Sequence, residues 1–260
     1  MPCETLDTED LFGLPFTAGT QEAVIHRLVN GLGSGDRALV FTVNVDHVVR
    51  LRRRPDLRNV YSRADFVLAD GAPVVWASRL LRAGLPERVA GIDLMAGLCD
   101  ALAGRGGSVF LLGGTQGIAV MAGSALVRAR PGLRLAGTHH GFFRPSEEPD
   151  IVRSIDRSRA DVLFVGLGSP KQEIWAARHA GRLPCAVVMT VGGSLDVLAG
   201  LRSRGPRWLQ RSGLEWSFRL AQEPGRLWKR YLVQDAAFVP ILLGEWWARR
   251  RRLGAEATTP

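Results

Sequence analysis

The chain predicts an α/β protein: a doubly wound, mostly parallel sheet followed by a helical, arginine-rich C-terminal appendage. Three observations carry this. Short uninterrupted apolar runs recur through the first 200 residues, each followed by a helical pattern, and alternating buried strands and helices imply parallel pairing through crossovers. The runs end in polar or glycine-rich turns. Past residue 201 the strand signal stops, and Pro, Trp, Arg and Leu take over.

After an irregular start, Gln21 to Leu32 reads as a helix, with Ala23, Val24, Leu28 and Leu32 on one face and Thr20 as its cap. Ala38 to Val43 is the first buried strand; it ends in Thr42-Val43-Asn44 and leads into a helical segment, Asp46 to Arg53. Phe66 to Ala69 ends in Asp70-Gly71 and is followed by an apolar helix from Pro73 to Leu81. The pattern repeats at Val109–Leu112, Val162–Val165 and Ala186–Val191, with a weaker strand, Leu133 to Ala136, before His139-His140. This divides the chain into an α/β core, 1–200, a basic helical appendage, 201–252, and a disordered tail, 253–260.

At 260 residues, 46% hydrophobic and 23% charged, the composition is that of a globular protein able to bury a sizeable core. Its +9 net charge is concentrated in residues 201–252, where twelve Lys or Arg face four acids. The expected partners of such a segment are anionic: phosphates, nucleic acid or membrane lipid. Cys3, Cys99 and Cys185 have no CxxC spacing, which fits a reducing compartment better than a zinc site or disulfide framework. The acidic first residues do not read as a signal peptide, and no apolar run has the roughly 18 residues of a membrane span.

In open α/β sheets ligands bind outside the carboxyl ends of the strands. Those ends collect Thr42 and Asn44, Asp70, the turn containing Gly113 and Gly114, Ser169 to Glu173, and Gly192 to Asp196. Asp70 reads either as a helix cap or as a catalytic carboxylate, and its polar neighbours favour the second. The glycine turn at 113–117 either meets a phosphate with its backbone N–H groups or is only a tight turn. Lys171 and Gln172 open a helix and project toward the cleft. In the appendage Arg219, Arg226, Lys229 and Arg230 crowd around Leu214, Phe218 and Leu220; guanidinium forks suit a pyrophosphate. Residues 236–252, apolar and bounded by Trp246, Trp247 and four arginines, suit a helix lying in an anionic membrane surface. No metal-ligand spacing and no GxSxG elbow is present.

With TVN at 42–44, ADFVLADG at 64–71, FLLGG at 110–114, GLGSPKQE at 166–173, GGSLDVLAG at 192–200 and PRWLQRSGLEW from Pro206, the chain resembles the bacterial WecG/TagA/CpsF glycosyltransferases, family 26 of that classification. The resemblance implies a Rossmann-like, metal-independent, inverting transferase that needs no cofactor. It would move a sugar (N-acetylmannosamine, its uronic acid, glucose or a related hexose) from a UDP-sugar donor to a polyprenyl-diphosphate-linked saccharide acceptor in cell-surface polysaccharide biosynthesis. The place implied is the cytoplasmic face of the membrane, with the appendage completing the site. Position by position, Asp70 matches the general base, Thr42 and Asn44 the polar pair near the sugar, and Gln172 the glutamine of PKQE. Arg219 and Arg226 match diphosphate-holding arginines, and Asp196 a carboxylate near the nucleotide. Arg204-Gly205-Pro206 departs from the RAP common in the family, at a hinge.

Two other readings compete. A nucleotide-dependent oxidoreductase would use the glycine turn, but Leu112 stands where GxGxxG needs its first glycine. A basic nucleic-acid-binding protein would use the Arg and Trp of the tail, leaving the α/β cleft idle, so no nucleic acid is expected. Self-association is left open.

Overall fold

The computed structural model describes residues 6–211 and 213–256. The start of the chain is not irregular: β1 (Thr8–Leu11) and β2 (Leu14–Thr17) form an antiparallel hairpin. Phe12 and Gly13 turn it with φ of 58° and 74°, the two left-handed residues that a tight two-residue hairpin needs. The cue was hidden because the first turn residue is a phenylalanine, which rarely takes that conformation. Leu11, Leu14 and Phe16 bury themselves beneath the hairpin, and Thr17 Oγ1 accepts the Val67 N–H at 3.3 Å.

The core then alternates as expected. In order come α1 (Gln21–Gly31), β3 (Ala38–Val43), α2 (Val45–Arg53), α3 (Arg58–Tyr61), β4 (Phe66–Ala69), α4 (Ala72–Leu80), α5 (Gly91–Ala103) and β5 (Ser108–Gly113). There follow α6 (Ile118–Ala129), β6 (Arg134–His139), α7 (Glu148–Ser158), β7 (Val162–Gly166), α8 (Lys171–His179), β8 (Val187–Thr190) and α9 (Ser194–Leu198). Thr20 caps α1 through its Oγ1, which accepts the Ala23 N–H at 3.2 Å. The six strands β3 to β8 are all parallel, in the order β4-β3-β8-β7-β5-β6.

Strand side chains alternate between two buried clusters, as a period of two requires. Leu39, Phe41, Val67, Phe110, Leu112, Leu163 and Val165 pack with α2, α4, α7, α8 and the hairpin. Val40, Leu68, Val109, Leu111, Val162 and Phe164 pack with α1, α5, α6 and α9 on the other face. Each such side chain contributes roughly 1.5–3 kcal/mol on burial, so the sheet is held by apolar packing on both faces.

From Arg207 the described structure is helical: α10 (Arg207–Arg211), α11 (Glu215–Gln222), α12 (Pro224–Trp228), a π turn over Lys229–Gln234, and α13 (Phe238–Glu256). α13 continues past the boundary expected at 252, while 257–260 of the expected disordered tail lie outside the described residues. One side of α13 packs on the core: Phe238 is buried against Phe12, with ring centroids 5.3 Å apart, and Ile241, Leu242 and Trp246 follow it in. Arg249 donates to the carbonyls of Asp10 and Leu81. No helix among the described residues is long and apolar enough to cross a membrane. Cys99 and Cys185 are free and buried, and burial pushes both thiols up to about 12; Cys3 lies outside the described residues.

Candidate active site

Parallel order brings every expected strand-end group to one edge of the sheet, and at about 4.8 Å per strand step that edge has three separate stations. At the first, β4 delivers Asp70. The N-cap of α4 is Gly71, so Asp70 stands outside the helix instead of capping it. Its backbone N–H extends the ladder to the Val43 carbonyl at 2.9 Å, which fixes the carboxylate beside Thr42 of β3.

Gly91, at the start of α5, closes over both side chains. A Cβ there would lie 3.2 Å from Thr42 Oγ1 and 3.7 Å from Asp70 Oδ2, so any side chain at this position would press on Thr42 and touch Asp70. Burial raises the Asp70 carboxyl above its ordinary value; the charges of Arg219 and Arg88 and the Gly91 N–H oppose the rise, and Glu215 adds to it. The carboxylate is therefore a better base than an exposed aspartate.

The arginines near Asp70 belong to an ion cluster shared by core and appendage. Glu215, buried at the start of α11, is approached by Arg88 at 3.3 Å, Arg219 at 3.2 Å and Arg204 at 3.7 Å. Asp93 of α5 takes a two-pronged contact from Arg204 and a longer one, 3.7 Å, from Arg88. Three guanidinium groups thus converge on two carboxylates, with Asp70 close by. Arg226 lies in α12 and Arg230 in the π turn, and their side chains lie outside the described residues.

The second station is buried. Asn44 is the N-cap of α2, and its Oδ1 lies 2.8 Å from His47 Nδ1. His47 Nε2 faces Glu173 Oε1 at 3.4 Å. Gln172 donates its Nε2 to the same oxygen at 2.8 Å and accepts the Gly192 N–H on its Oε1 at 3.1 Å. Gln172 is only 3% exposed, so it does not project openly into the cleft: its amide ties α8 to the β8–α9 turn. α8 also starts one residue later than a Ser169 cap implies, with Pro170 as N-cap.

The third station lies about four strand steps, roughly 19 Å, from Asp70. Gly113 has no room for a side chain, since a Cβ would come 2.4 Å from the Gly166 carbonyl oxygen. Gly114 donates its N–H to Gly166 at 3.3 Å and accepts the Gly141 N–H at 2.8 Å. Close chain packing accounts for both glycines, and the Gly114 N–H is engaged within the protein. Lys171 Nζ donates to the Gly141 carbonyl at 3.1 Å and sits 4.4 Å over the Phe143 ring. Asp196 pairs with Arg202 at 3.1 Å, and Arg202 also holds Glu223 at 2.8 Å.

Of the residues expected from the sequence, Thr42, Asp70 and Arg219 come together at one station and Asn44, Gln172 and Glu173 at another, while Arg88, Gly91, Glu215 and His47 join them without having been singled out. A usable signal existed for Glu215, an acid within a strongly basic stretch, and for His47, three residues after a capping asparagine. Arg88 and Gly91 lie in a connection without pattern. Among the described residues no three His, Cys, Asp or Glu side chains converge as a metal site would require.

A "N-acetylglucosaminyldiphosphoundecaprenol N-acetyl-beta-D-mannosaminyltransferase" of Bacillus spizizenii is 33% identical over 209 residues, 80% of each chain. A protein of the same name from Staphylococcus aureus is 31% identical over 236 residues, 90% of each chain. The model of the "Glycosyl transferase WecG/TagA/CpsF family" matches residues 9–252, nearly the whole chain. The chain belongs to the WecG/TagA/CpsF family of glycosyltransferases.

Proposed function

We propose that the chain transfers a hexose, N-acetylmannosamine in the first instance, from its UDP-sugar to a polyprenyl-diphosphate-linked saccharide, with inversion and without a metal. The names of the relatives favour an N-acetylmannosaminyl group and an N-acetylglucosaminyl-diphosphoundecaprenol acceptor; the uronic acid, glucose and related hexoses are the other donors to test. One observation carries the reading: a carboxylate raised by burial lies within the field of Arg88 and Arg219. Such a pair of features suits a reaction that removes a proton and expels an anion.

In this reading Asp70 takes the proton of the acceptor hydroxyl as its oxygen attacks the anomeric carbon, and UDP departs from the opposite face. Proton removal of this kind is worth about 10²- to 10⁴-fold. The charge growing on UDP is met by Arg219 and Arg88, with Arg226 and Arg230 as further candidates from the sequence, and such preorganised charge is often the larger contribution. Thr42 and Asn44 serve the sugar. Gln172, Lys171, Gly113, Gly114 and Asp196 line the rest of the edge, more as its framework than as free donors.

The division into a core, 1–200, and a closing segment, 201–252, is part of the proposal, supported by Glu215, Arg204 and Arg219 reaching the Asp70 station. Attachment to the cytoplasmic face of the membrane is also part of it. The outward side of α13 leaves Val239, Leu243 and Trp247 exposed at helical spacing, beside exposed Arg250 and Arg251. That pattern suits an anionic lipid surface.

The experiment is a screen of UDP-sugars against N-acetylglucosaminyl-diphospholipid, scored by UDP release. Acceptor-dependent release with UDP-N-acetylmannosamine is the expected outcome; release from no UDP-sugar would sink the proposal.

A further inference from the structure

α4 is a surface helix whose outer face is largely apolar. Its inner side buries Val74, Val75, Ala77 and Ser78, and its outer side carries Trp76, 48% exposed, and Leu80, 54% exposed. The two stand four residues apart and so lie one above the other on one face. Arg79 is the only charged residue between Ala72 and Leu80. Single exposed apolar residues are ordinary, but a helix apolar on both sides calls for something to cover the second.

What lies at its two ends indicates the cover. At the N-terminal end Ala72 follows Asp70 by two residues, so the stripe starts beside the carboxylate, where Arg88, Arg204 and Arg219 gather around Glu215. At the C-terminal end the Leu81 carbonyl accepts from Arg249 of α13 at 3.2 Å, and α13 leaves Val239, Leu243 and Trp247 exposed beside Arg250 and Arg251. The nine residues of α4 span about 13 Å at 1.5 Å each. The appendage borders the stripe: Gly213 has no room for a Cβ, which would run into Ala72 and the Trp76 ring, and Leu214 after it is exposed. An apolar strip thus joins the cationic surroundings of Asp70 to the helix that carries the outward apolar and basic residues.

We propose that the Trp76–Leu80 face of α4 is the binding track for the first isoprene units of the acceptor's polyprenyl chain, those next to its diphosphate. The inference rests on the reading above that the acceptor is a polyprenyl-diphosphate-linked saccharide, and deepens it. A molecule with its saccharide hydroxyl at Asp70 and its far end in a bilayer under α13 has to cross the surface between them, and α4 is that surface. Cationic groups come first and apolar ones after, the order in which a polyprenyl diphosphate presents its own charge and hydrocarbon. The indole of Trp76 gives the chain a broad apolar contact. The consequence is that the enzyme recognises its acceptor by the lipid as well as by the sugar. A second copy, or a bilayer laid directly on α4, would cover the same residues without making their contribution depend on the acceptor's chain.

The test uses the full chain and two acceptors in detergent: N-acetylglucosaminyl diphosphate carried on a polyprenyl chain, and the same group carried on butyl. Trp76→Gln/Leu80→Gln alters exposed positions only, and glutamine keeps the helix. Because Gly213 leans on Trp76, Leu80→Gln alone is the control for a loosened appendage; it should shift the constants the same way by less. With the polyprenyl acceptor the double variant should raise KM on the order of tenfold at a kcat that hardly moves. With the butyl acceptor both constants should change less than about twofold. Equal losses with both acceptors, or no loss with either, overturn the proposal. So does loss of binding to anionic phospholipid vesicles without acceptor, which would give the face to the bilayer, or a changed sedimentation coefficient, which would give it to a second copy. A polyprenyl diphosphate bearing a diazirine on its first isoprene unit provides a readout without turnover. Its label should fall on Trp76 to Leu80, and labelling confined to other segments overturns the proposal. If no UDP-sugar is turned over while α4 is labelled, the transfer reading fails and the lipid track stands.

Discussion

The sheet and the segment after residue 201 are attached to the molecule by different physics. The sheet is closed on both faces by apolar side chains that alternate strand by strand, and Phe41, Leu68, Phe110 and Phe164 are essentially inaccessible to water. The later segment is joined to the core by the pairs Arg88–Glu215, Arg202–Asp196 and Arg204–Asp93, and through α13 by Phe238, Ile241, Leu242 and Trp246. Apolar contact is indifferent to salt and pH over the ordinary range; ion pairs are not. The base and Arg88 are thus carried by the sheet part, and Arg219 by the part that solution conditions can loosen.

The largest effect should come from the point where the two regions meet. Asp70→Asn removes the base but leaves the arginines, so turnover should fall by about 10²- to 10⁴-fold while UDP still binds, as calorimetry would show. Because burial raises Asp70, the folded state holds its proton more tightly than the unfolded chain does. The associated stability is present below the unfolded pKa and is lost as pH rises through the raised folded value. At neutral pH the variant should therefore melt higher, by on the order of 1 kcal/mol, and kcat/KM of the wild type should drop as acid protonates Asp70. An active Asp70→Asn enzyme would break the comparison outright.

Next comes a cut in the sheet. Phe164→Ala, at a fully buried position, should destabilise the whole protein by about 3–5 kcal/mol, read as a shifted denaturant midpoint with all probes moving together. Glu215→Gln should behave differently. It leaves Arg219 without its carboxylate and Arg88 and Arg204 with Asp93 alone, at a cost of roughly 1–3 kcal/mol once the partial exposure of Arg219 is discounted. The expected signs are protease cleavage near residues 201–206 and a raised KM for the UDP-sugar, with core unfolding unchanged. If Glu215→Gln lowers the core midpoint as Phe164→Ala does, the two regions are one cooperative unit. Smallest is Arg202→Ala, which breaks part-exposed pairs worth about 0–1 kcal/mol, an effect that should disappear in 1 M salt, where the Debye length is about 3 Å.

The same contrast explains what the sequence made legible. Apolar runs bounded by turns give β3, β4, β5, β7 and β8 to within a residue or two, because burial on both faces leaves a continuous signal. The hairpin leaves no local signal because its turn begins at Phe12, and α13 reads as a surface helix because the packing of Phe238 and Trp246 on the core is a long-range event. Asp70, Thr42 and Asn44 were legible because strand ends in a parallel sheet converge by topology alone. Arg88, Gly91 and Glu215 were not, since no local pattern brings a connection at 88–91 against a helix that starts at 215. Gln172 shows the limit from the other side: its place at the edge was right, yet its amide turned inward to Glu173 and Gly192.

The missing side chain at Gly91 is in effect a gauge for the reaction centre. The hydroxyl of Thr42 and the carboxylate of Asp70 both lie against a bare stretch of backbone. Ala, Ser and Val at position 91 would then form a graded series of wedges, pressing first on Thr42 and, as their volume grows, on the base. The decline of kcat along that series would report, in fractions of an ångström, how much misalignment the transfer tolerates.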